Sequence, residues 1–300
     1  MSGPDRDREA GFRSVSAYRV SGESLVAEQC LVVGEDALNI DVEGIGTYTL
    51  MWTPTEPRDE ASGYSREDGV LAEADNPEAL ALAAGFCFTE GLISGLEDIR
   101  SIAACPDTPG VIRMQLVDPL SVNPRRRNVT INSSCGICGG REAIDNGLLN
   151  LSTVPDRLRV RGAQLSRLMA KMHQRQSVFQ QTGGSHAAAV FSGEGEILAV
   201  AEDLGRHNAL DKVIGTCILQ KMDLNACGVL LSSRMSFEMV VKAVRAKFEM
   251  VAAISAPTML AIEIAERYGV TLCGFVRDER VTVYTHPRRL QGAAPTTAAG

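Results

Sequence analysis

The sequence predicts an α/β protein in which a small α+β domain precedes a layered α/β domain. In the first 124 residues, short alternating strands surround one apolar helix. In the second half, apolar strands and amphipathic helices alternate regularly, which is typical of a layered domain with a largely parallel sheet. Three hundred residues also exceed what one compact core usually organises, so two domains are expected.

The first half begins with strands. The stretches "LVAEQCLVV" and "LNIDVEGIGTYTL" alternate apolar and polar residues, as half-buried strands do, and a Gly-bearing turn divides the second. The charged stretch "PTEPRDEASGYSREDG" predicts a loop, and "NPEALALAAGFCFTEGLI" predicts a helix that Asn76 and Pro77 open. A further strand is predicted at "GVIRMQLVD". These elements assign residues 15–124 to the small domain and residues 1–14 to a polar tail.

In the second half, helices and strands alternate. "AQLSRLMAKMHQRQSVF" predicts a helix, and "TGGSHAAAVFS" with "GEILAVAED" predicts a hairpin. Helices are predicted at "HNALDKVIGTCIL", "FEMVVKAVRAKF" and "TMLAIEIAERYG", and strands at "CGVLLSS", "MVAAIS", "VTLCGFV" and "RVTVYT". Residues 161–290 are therefore assigned to the layered domain, 125–160 to a linker that carries two cysteines, and 291–300 to a second tail.

Composition and charge exclude several classes of function. Thirty basic and 37 acidic residues give a formal net charge of -7, which argues against general attraction to nucleic acid or an anionic membrane. The amino terminus has no apolar signal segment, and no apolar run approaches the roughly 20 residues of a membrane-spanning helix. We therefore expect a cytoplasmic protein, whose eight cysteines are free, metal-bound or catalytic because cytoplasmic thiols are kept reduced.

Two of these cysteines, Cys135 and Cys138, flank two residues in "NSSCGICGG". The spacing suits half of a zinc site, but structural zinc takes four ligands, and the sequence offers no second closely spaced pair. The same spacing suits a redox pair or a sulfur carrier. The surrounding glycines would let a ligand or another active site approach the sulfurs. These residues alone favour sulfur or redox chemistry over zinc, with a purely structural pair as the third alternative.

A second group of polar residues lies near the predicted starts of helices. Backbone N–H groups, hydroxyls and an arginine at a helix N-terminus bind anions, which indicates a phosphate-bearing ligand. A single such serine or asparagine is more often only an N-cap, and a lone histidine is more often structural. Two starts at the ends of neighbouring strands favour a site, because open α/β sheets bind ligands in that crevice. The candidates are Gly183, Gly184, His186, Arg206, His207, Asn208, Ser232, Ser233 and Arg234.

The sequence resembles the formate dehydrogenase accessory sulfurtransferase family, FdhD, in six motifs that occur in the same order. These motifs are "SSCGICG", "TGGSHAAAVF", "EDLGRHNALDKVIG", "SSRMSFEMVVKAVRA", "ISAPTMLAIEIAERYGVTLCGFVR" and "VTVYTHPRRL". The resemblance runs from about Leu38 to Leu290. It implies that the second domain is a cytidine deaminase-like three-layer α/β/α domain and that the chain forms a homodimer.

The same resemblance implies a sulfur carrier. In that family, a cysteine desulfurase passes a persulfide sulfur to the Cys-x-x-Cys loop. The carrier delivers the sulfur to the molybdenum of a bis-molybdopterin guanine dinucleotide cofactor, which then enters formate dehydrogenase. By position, Cys135 matches the persulfide-bearing cysteine and Cys138 its companion. The family's cofactor-binding segment corresponds to "FVRDER", which comprises Phe275, Val276, Arg277, Asp278, Glu279 and Arg280.

Zinc is not expected in such a protein. A zinc deaminase uses His-x-Glu at one helix start and Pro-Cys-x-x-Cys at the next. The corresponding stretches here, "RHNALD" and "SSRMSFE", keep a histidine but lack the cysteines and the glutamate, so deamination is not expected and the position suits phosphate or guanine. Asp278 stands where many members of the family have glycine. The alternative function is a cofactor-binding chaperone whose cysteine pair is structural or binds zinc.

Overall fold

The computed structural model describes residues 11–55, 63–66, 78–105, 108, 110–122, 151–278 and 280–292. Within these residues the chain forms two compact units. Unit 1 contains the described part of residues 11–122 together with Gln176–His186 and Ala201–Lys221, and unit 2 contains the remainder. Two segments of the second half thus belong to unit 1, whereas the predicted division gave each domain one stretch of chain. Cys135, Cys138 and Glu279 lie outside the described residues, as does the predicted helix opening at Asn76.

The described residues form fifteen strands, six α-helices and three short 3-10 helices. The strands are β1 (Phe12–Ser21), β2 (Ser24–Val33), β3 (Asp36–Val42), β4 (Gly46–Trp52), β5 (Gly63–Ser65), β6 (Ile99–Ala104), β7 (Val111–Leu116), β8 (Val160–Arg161), β9 (His186–Ser192), β10 (Ile197–Asp203), β11 (Cys227–Leu231), β12 (Met250–Ala253), β13 (Thr271–Arg277), β14 (Arg280–Val283) and β15 (Leu290–Gln291). The helices are α1 (Glu78–Thr89), α2 (Gly162–Gln174), α3 (Ser177–Thr182), α4 (Arg206–Leu219), α5 (Phe237–Arg245) and α6 (Met259–Tyr268). β1 begins at Phe12, inside the stretch predicted as a tail, and β15 ends at Gln291, inside the other.

Unit 1 contains a five-stranded sheet with the order β4-β3-β7-β6-β5 and a separate antiparallel ribbon of β1 and β2. Apolar residues from β3, β4, β6, β7 and α1 form its core. Nine of the twelve residues of α1 are buried, which explains why this helix is apolar on nearly all sides. The small α+β part that the sequence predicts is therefore confirmed.

Two glycines set the distance between α1 and α4 within unit 1. A Cβ atom on Gly85 would lie 1.8 Å from the carbonyl oxygen of Asp211, and one on Gly215 would lie 1.8 Å from that of Ala81. No other residue type fits at either position, because the two backbones touch there. Thr89 Oγ1 also donates a hydrogen bond of 2.7 Å to Asp211 Oδ1. This crossing fixes the position of α4, and with it the candidate residues in the first turn of α4.

Unit 2 is built on a six-stranded sheet with the order β10-β9-β11-β12-β13-β14. β11, β12 and β13 are parallel, while β9 runs antiparallel to β11 and β14 runs antiparallel to β13. β11 and β12 are buried along their whole lengths, so both faces of the sheet are covered. Apolar residues of α2 pack on one face, and α5 and α6 connect the parallel strands and pack against each other. The predicted α/β/α layering is confirmed.

A buried ionic cluster closes the amino-terminal edge of this sheet. Arg289 and Glu249 are fully buried, and Arg289 Nε lies 3.2 Å from Glu249 Oε2. The same oxygen accepts hydrogen bonds from the backbone N–H groups of Arg157, at 2.6 Å, and Leu158, at 2.8 Å. Glu249 stands directly before β12, so the cluster joins residues 157 and 158 to the start of a central strand.

One stretch that the sequence predicts as a single helix forms two helices in the structure. The stretch predicted as a single helix from residue 163 to 179 breaks between α2 and α3. The carboxylate of Glu202 accepts hydrogen bonds from the N–H groups of Val178 and Phe179, both at 3.0 Å. Because these N–H groups lie in the first turn of α3, a carboxylate that comes from a distant strand starts the second helix. None of the described helices is long and apolar enough to span a membrane.

Candidate functional site

Three chain segments meet at the carboxyl-terminal edge of the unit 2 sheet. The segment after β11 pairs with the segment after β12, since Met235 N donates to Ala256 O at 3.1 Å and Thr258 N donates to Met235 O at 3.0 Å. Phe275 N in β13 donates to Ser255 O at 3.3 Å. The structure therefore brings the predicted serine–arginine segment and the "FVRDER" segment to one edge, with residues 255–258 between them. This edge is the usual ligand-binding edge of an open α/β sheet.

Residues 255–258 are absent from the predicted site, although the sequence contains a signal for them. Both segments consist of a buried strand, a serine, two or three further residues and a hydroxyl-bearing N-cap, in "LLSSRMSF" and "AISAPTML". The N-caps are Ser236 for α5 and Thr258 for α6, and Thr258 Oγ1 accepts from Ala261 N at 3.3 Å. Ser236 Oγ is buried and has no hydrogen-bond partner among the described residues. A comparison of the two strand-to-helix connections would have found the second one.

The three predicted residues after β11 have different surroundings. Ser232 Oγ accepts a hydrogen bond of 2.8 Å from Ala187 N, at the beginning of β9. Ser233 is buried, and its hydroxyl donates to Arg234 O at 3.1 Å. Arg234 is exposed. The two serines thus hold the segment in place, and Arg234 is the residue of the three whose side chain can meet a ligand.

Phe275 lies in a distorted part of β13. The register of β13 with β14 shifts between Gly274 and Arg277, and Phe275 has φ 52°, in the left-handed region that side-chain-bearing residues rarely adopt. Its side chain is 39% exposed, whereas Val276 next to it is buried in the core. The distortion therefore turns an aromatic ring outward at the ligand edge. Such strained positions are concentrated at functional sites.

Arg277 and Arg280 face each other across the β13–β14 hairpin. They are partners in the antiparallel register, and both are exposed. Like charges directly opposite each other destabilise a sheet unless an anion lies between them. Neither arginine makes an ion pair with any other described residue. Asp278, in the turn between them, is exposed and has φ 48°, which is a conformation that glycine would adopt with less strain.

In unit 1, a buried lysine fixes the start of α4. Lys212 is 1% exposed, and its Nζ lies 2.8 Å from Asp203 Oδ2. The other oxygen of Asp203 accepts from Gly205 N at 2.8 Å and from Asn208 Nδ2 at 2.9 Å. Gly205 is the N-cap of α4. The sequence contains a signal for this lysine, because Lys212, with Asp211 before it, interrupts the apolar residues of "ALDKVIG".

Further contacts complete the lysine cluster. Lys212 Nζ donates to Thr53 O at 2.7 Å and to Glu202 O at 2.8 Å, and it forms a second ion pair with Glu78. The ring of Trp52 lies 4.9 Å from the same nitrogen. A buried charge with this many partners is compensated, so the cluster holds strands and helices together in unit 1.

The remaining predicted residues of unit 1 fall into two places. Arg206, His207 and Asn208 form the first turn of α4, but Asn208 Nδ2 is already bonded to Asp203 and to Met51 O. Arg206 Nε is buried and has no hydrogen-bond partner among the described residues. The second place comprises Gly183, Gly184 and His186, which end α3 and begin β9. Gly183 has φ 66° and ends the helix in the left-handed conformation.

The described cysteines are poor nucleophiles. Cys87, Cys105, Cys217, Cys227 and Cys273 are buried. Burial raises the pKa of Cys273 to about 12 and the pKa of Cys227 to about 11, and it also raises the pKa of Cys87. A hydrogen bond to Glu28 raises the pKa of Cys30, which is half-buried. Because the thiolate is the reacting form, the thiols with raised pKa values are unsuited to sulfur chemistry near neutral pH.

Among the residues that the structure describes, no group of three or more histidine, cysteine, aspartate or glutamate side chains is placed so that it could hold a metal ion.

Comparison with known proteins agrees with this fold. The FdhD/NarQ family model matches residues 76–291. The sulfur carrier protein FdhD of Xanthomonas campestris pv. campestris (strain B100) is 36% identical over 278 residues, which cover 93% of this chain and 91% of that protein. The sulfur carrier protein FdhD of Thermoplasma acidophilum is 40% identical over 214 residues, which cover 70% of this chain and 74% of that protein.

A solved structure assigned to a formate dehydrogenase accessory protein from Desulfotalea psychrophila has the same fold. It superposes with a TM-score of 0.70 at 21% identity, over 93% of this chain and 99% of that one. The matches extend over both units and over the motifs on which the predicted site rests. This chain is a member of the FdhD/NarQ family.

Proposed function

We propose that this chain is a cytoplasmic sulfur carrier that serves formate dehydrogenase. It receives sulfur from a cysteine desulfurase as a persulfide on Cys135. It then passes the sulfur to the molybdenum of a bis-molybdopterin guanine dinucleotide cofactor before that cofactor enters the enzyme. The relatives, which this chain matches over most of their length, are named sulfur carrier proteins. These names support the sulfur part of the proposal.

The sulfur step is an exchange between sulfur atoms. The thiolate of Cys135 attacks the terminal sulfur of the donor persulfide, a new S–S bond forms on Cys135, and the donor cysteine leaves as a thiolate. Oxidation state is conserved, because one S–S bond replaces another. Release follows if the Cys138 thiolate attacks Cys135 Sγ: a disulfide forms and hydrosulfide leaves. A cellular dithiol must then reduce the disulfide before the next cycle. In the other version of this step, Cys138 only shields the persulfide.

The remaining cysteines support this choice of residues. Those that the structure describes are buried or half-buried, and every shift in their pKa values that is resolved is upward. A persulfide carrier needs a thiolate that a partner's active site can reach. Cys135 and Cys138, with glycines at 136, 139 and 140, have the sequence that suits such an exchange.

The observation that carries the ligand side of the proposal is the pair Arg277 and Arg280. Two exposed arginines opposite each other, without a carboxylate partner among the described residues, suit a diphosphate, which guanidinium groups bind with two parallel hydrogen bonds each. Phe275 offers a ring on which a purine base can stack. Diphosphate and guanine are both parts of the cofactor. Arg234 lies after β11 on the same edge of the sheet.

Intact-protein mass spectrometry tests the sulfur part directly. The chain is incubated with a cysteine desulfurase and cysteine, and we expect a gain of one sulfur atom that a reductant reverses. Cys135→Ser should not gain sulfur. Cys30→Ser is the matched control, because Cys30 is the half-buried cysteine of the described part, and this variant should gain sulfur as the wild type does.

Two results would contradict the proposal. A Cys135→Ser protein that still accepts sulfur would show that another residue is the carrier. A purified chain that holds zinc in a one-to-one ratio and gains no sulfur would support the cofactor-binding chaperone with a structural cysteine pair.

A further inference from the structure

We propose that four arginines at the amino-terminal edge of the unit 2 sheet bind an acidic surface of the protein that donates sulfur to this chain. We call them the arginine strip, and its members are Arg157, Arg159, Arg161 and Arg288. This assignment rests on the sulfur-carrier function proposed above, since it names the place at which the donor docks before its sulfur reaches Cys135. Neither the sulfur exchange nor the cofactor residues use these arginines.

Alternation along the chain places three of the arginines on one outer face. Leu158 and Val160, the residues between them, are buried in the core. Side chains of an extended segment point alternately to its two faces, so this burial turns Arg157, Arg159 and Arg161 toward solvent. The first and the last of the three are exposed, and the middle one keeps 38% of its side chain exposed.

The arginine strip lies beside the starts of the three parallel strands. Arg157 Nη1 donates to Asn225 Oδ1 at 3.2 Å, shortly before β11, and Arg157 N donates to the carboxylate of Glu249, directly before β12. Val154 N donates to Tyr268 O at 2.9 Å, shortly before β13. The strip is therefore at the opposite edge of the sheet from the proposed cofactor residues.

Positive charge exceeds negative charge in the arginine strip. The carboxylate of Asp156 lies among the four arginines, with Oδ2 at 2.7 Å from Arg288 Nε and Oδ1 at 3.2 Å from Arg159 Nη1. Arg157 and Arg161 make no ion pair with another described residue. Two guanidinium groups of the strip are thus available to carboxylates of another molecule.

An acidic protein surface fits this arrangement. The whole chain has a net charge of -7, so an acidic protein is repelled by most of its surface and is attracted at the strip. Such a contrast fixes the side from which a partner approaches and raises the rate of encounter. Guanidinium groups also bind carboxylates through two parallel hydrogen bonds. The strip includes a carboxylate and no aromatic side chain for base stacking, so it suits a protein better than a nucleic acid.

The position of the arginine strip favours the sulfur donor among the partners of this chain. The chain that carries Cys135 and Cys138 enters the described part of unit 2 at the same edge, where Lys247 Nζ donates to Ser152 O at 3.1 Å. Under the proposed function, the cofactor and the enzyme that receives it belong to the carboxyl-terminal edge. A donor that docks on the strip leaves that edge free.

The rate of sulfur loading tests this docking surface. The full chain is incubated with cysteine and a catalytic amount of a cysteine desulfurase, and intact-protein mass spectrometry follows the gain of one sulfur atom with time. The double variant Arg157→Ala, Arg161→Ala should load about 10-fold more slowly than the wild type at low ionic strength, because attraction between opposite charges speeds association. At about 1 M salt, where charges are screened beyond about 3 Å, the two rates should converge.

Two controls separate docking from other effects. The double variant Arg100→Ala, Arg113→Ala removes the same amount of charge from exposed positions of β6 and β7, and it should load as the wild type does. Inorganic polysulfide donates sulfur without a protein: the Cys135 thiolate takes one sulfur atom, and a polysulfide shorter by that atom leaves. The strip variant should gain sulfur from polysulfide at the wild-type rate.

The outcomes distinguish the docking surface from the carrier function. If the wild type loads and the strip variant loads equally fast from the desulfurase at low ionic strength, the docking surface is wrong and the carrier function stands. Slow loading of the strip variant from both donors would also overturn the docking surface, because the arginines would then act on the cysteine thiol. Equally slow loading of the control variant would reduce the effect to net charge. A wild type that gains no sulfur from either donor would contradict the carrier function, and the docking surface with it.

Discussion

The two ends of the parallel strands in unit 2 carry arginines in opposite environments. At the amino-terminal edge, Arg289 and Glu249 are fully buried and bonded to each other. At the carboxyl-terminal edge, Arg277 and Arg280 are exposed and make no ion pair within the described residues. One edge therefore contributes to stability, and the other offers unpaired charge to a ligand. The same residue type serves both purposes, and the difference lies in burial and in partners.

The amino-terminal cluster shows how a buried arginine is satisfied. Beside its contact with Glu249, Arg289 donates to Gly269 O at 2.8 Å and to Thr271 Oγ1 at 3.0 Å. A further guanidinium nitrogen donates to Pro155 O. Every partner belongs to a segment near the start of a strand or near residue 156. Removal of the arginine would leave a buried carboxylate without its compensating charge.

The largest expected effect is therefore a loss of stability from Arg289→Ala. We expect the free energy of unfolding to fall by about 3 to 5 kcal/mol, which is typical when one partner of a buried ion pair is removed. Urea or thermal unfolding measures it. Arg288→Ala is the matched control: Arg288 pairs with Asp156 but is 57% exposed, so its loss should cost below about 1 kcal/mol. Equal losses in the two variants would remove the distinction between the cluster and the surface.

Substitution at the other edge should leave stability unchanged and weaken binding. We expect Arg277→Ala with Arg280→Ala to lower the affinity for guanosine diphosphate about 10- to 100-fold, since a charge-assisted hydrogen bond contributes about 1.5 to 3 kcal/mol. Isothermal titration calorimetry measures this affinity. Arg113→Ala, which removes an exposed arginine from β7, is the control and should bind as the wild type does. A double variant with unchanged affinity would show that the nucleotide binds elsewhere.

Two substitutions of Phe275 distinguish backbone strain from ligand binding. Phe275→Ala removes the ring and keeps a side chain at φ 52°, whereas Phe275→Gly removes the ring and relieves the conformation. The glycine variant should be more stable than the alanine variant by about 1 kcal/mol. Both should lose about 1 to 3 kcal/mol of guanosine diphosphate binding if a base stacks on the ring. Equal unfolding midpoints would remove the evidence for strain, and unchanged affinities would exclude stacking.

The smallest effect concerns pH at the amino-terminal edge. Burial alone would raise the pKa of Asp156, but the hydrogen bond from Arg288 and the charges of Arg289, Arg288 and Arg159 lower it below its ordinary 3.8. A carboxyl whose pKa is lower in the folded state contributes stability above its unfolded pKa and loses it as pH falls. Between neutral pH and pH 3, protonation of this carboxyl should therefore lower the free energy of unfolding of the wild type by less than about 1 kcal/mol. Asp156→Asn should not show this contribution. Unfolding midpoints between neutral pH and pH 3 measure the difference.

The sequence predicted most of the elements because their signals are local, but β5 lies in the stretch predicted as a loop and β6 was not predicted. Alternation of apolar residues predicted β2, β3 and β4, and helical periodicity predicted α4, α5 and α6. The break between α2 and α3 could not be predicted from the local pattern, since its cause is Glu202, more than twenty residues away. The assignment of α4 to unit 1 has a similar cause, because the close contact between Gly85 and Asp211 joins distant parts of the chain.

The candidate site was predictable in part. Polar residues at strand ends indicated the ligand edge, and the structure brings Ser232, Arg234 and Phe275 to that edge. The sequence could not show that the hydroxyl of Ser232 accepts a hydrogen bond from Ala187 N, because that bond depends on the pairing of β9 with β11. The roles of Cys135 and Cys138 stay predictions, since both lie outside the described residues.

By itself the sequence determined the α/β class, the order of most of the elements, the motifs of the family and the cysteine pair as the candidate sulfur carrier. Periodicity, N-caps and motif order are properties of neighbouring residues, so they can be read before the chain folds. Only the tertiary structure decided that Arg289 is buried and bonded while Arg277 and Arg280 face each other without carboxylates among the described residues. The physical reason is that solvent access and charge partners arise from contacts between segments distant in the chain, which no local pattern encodes.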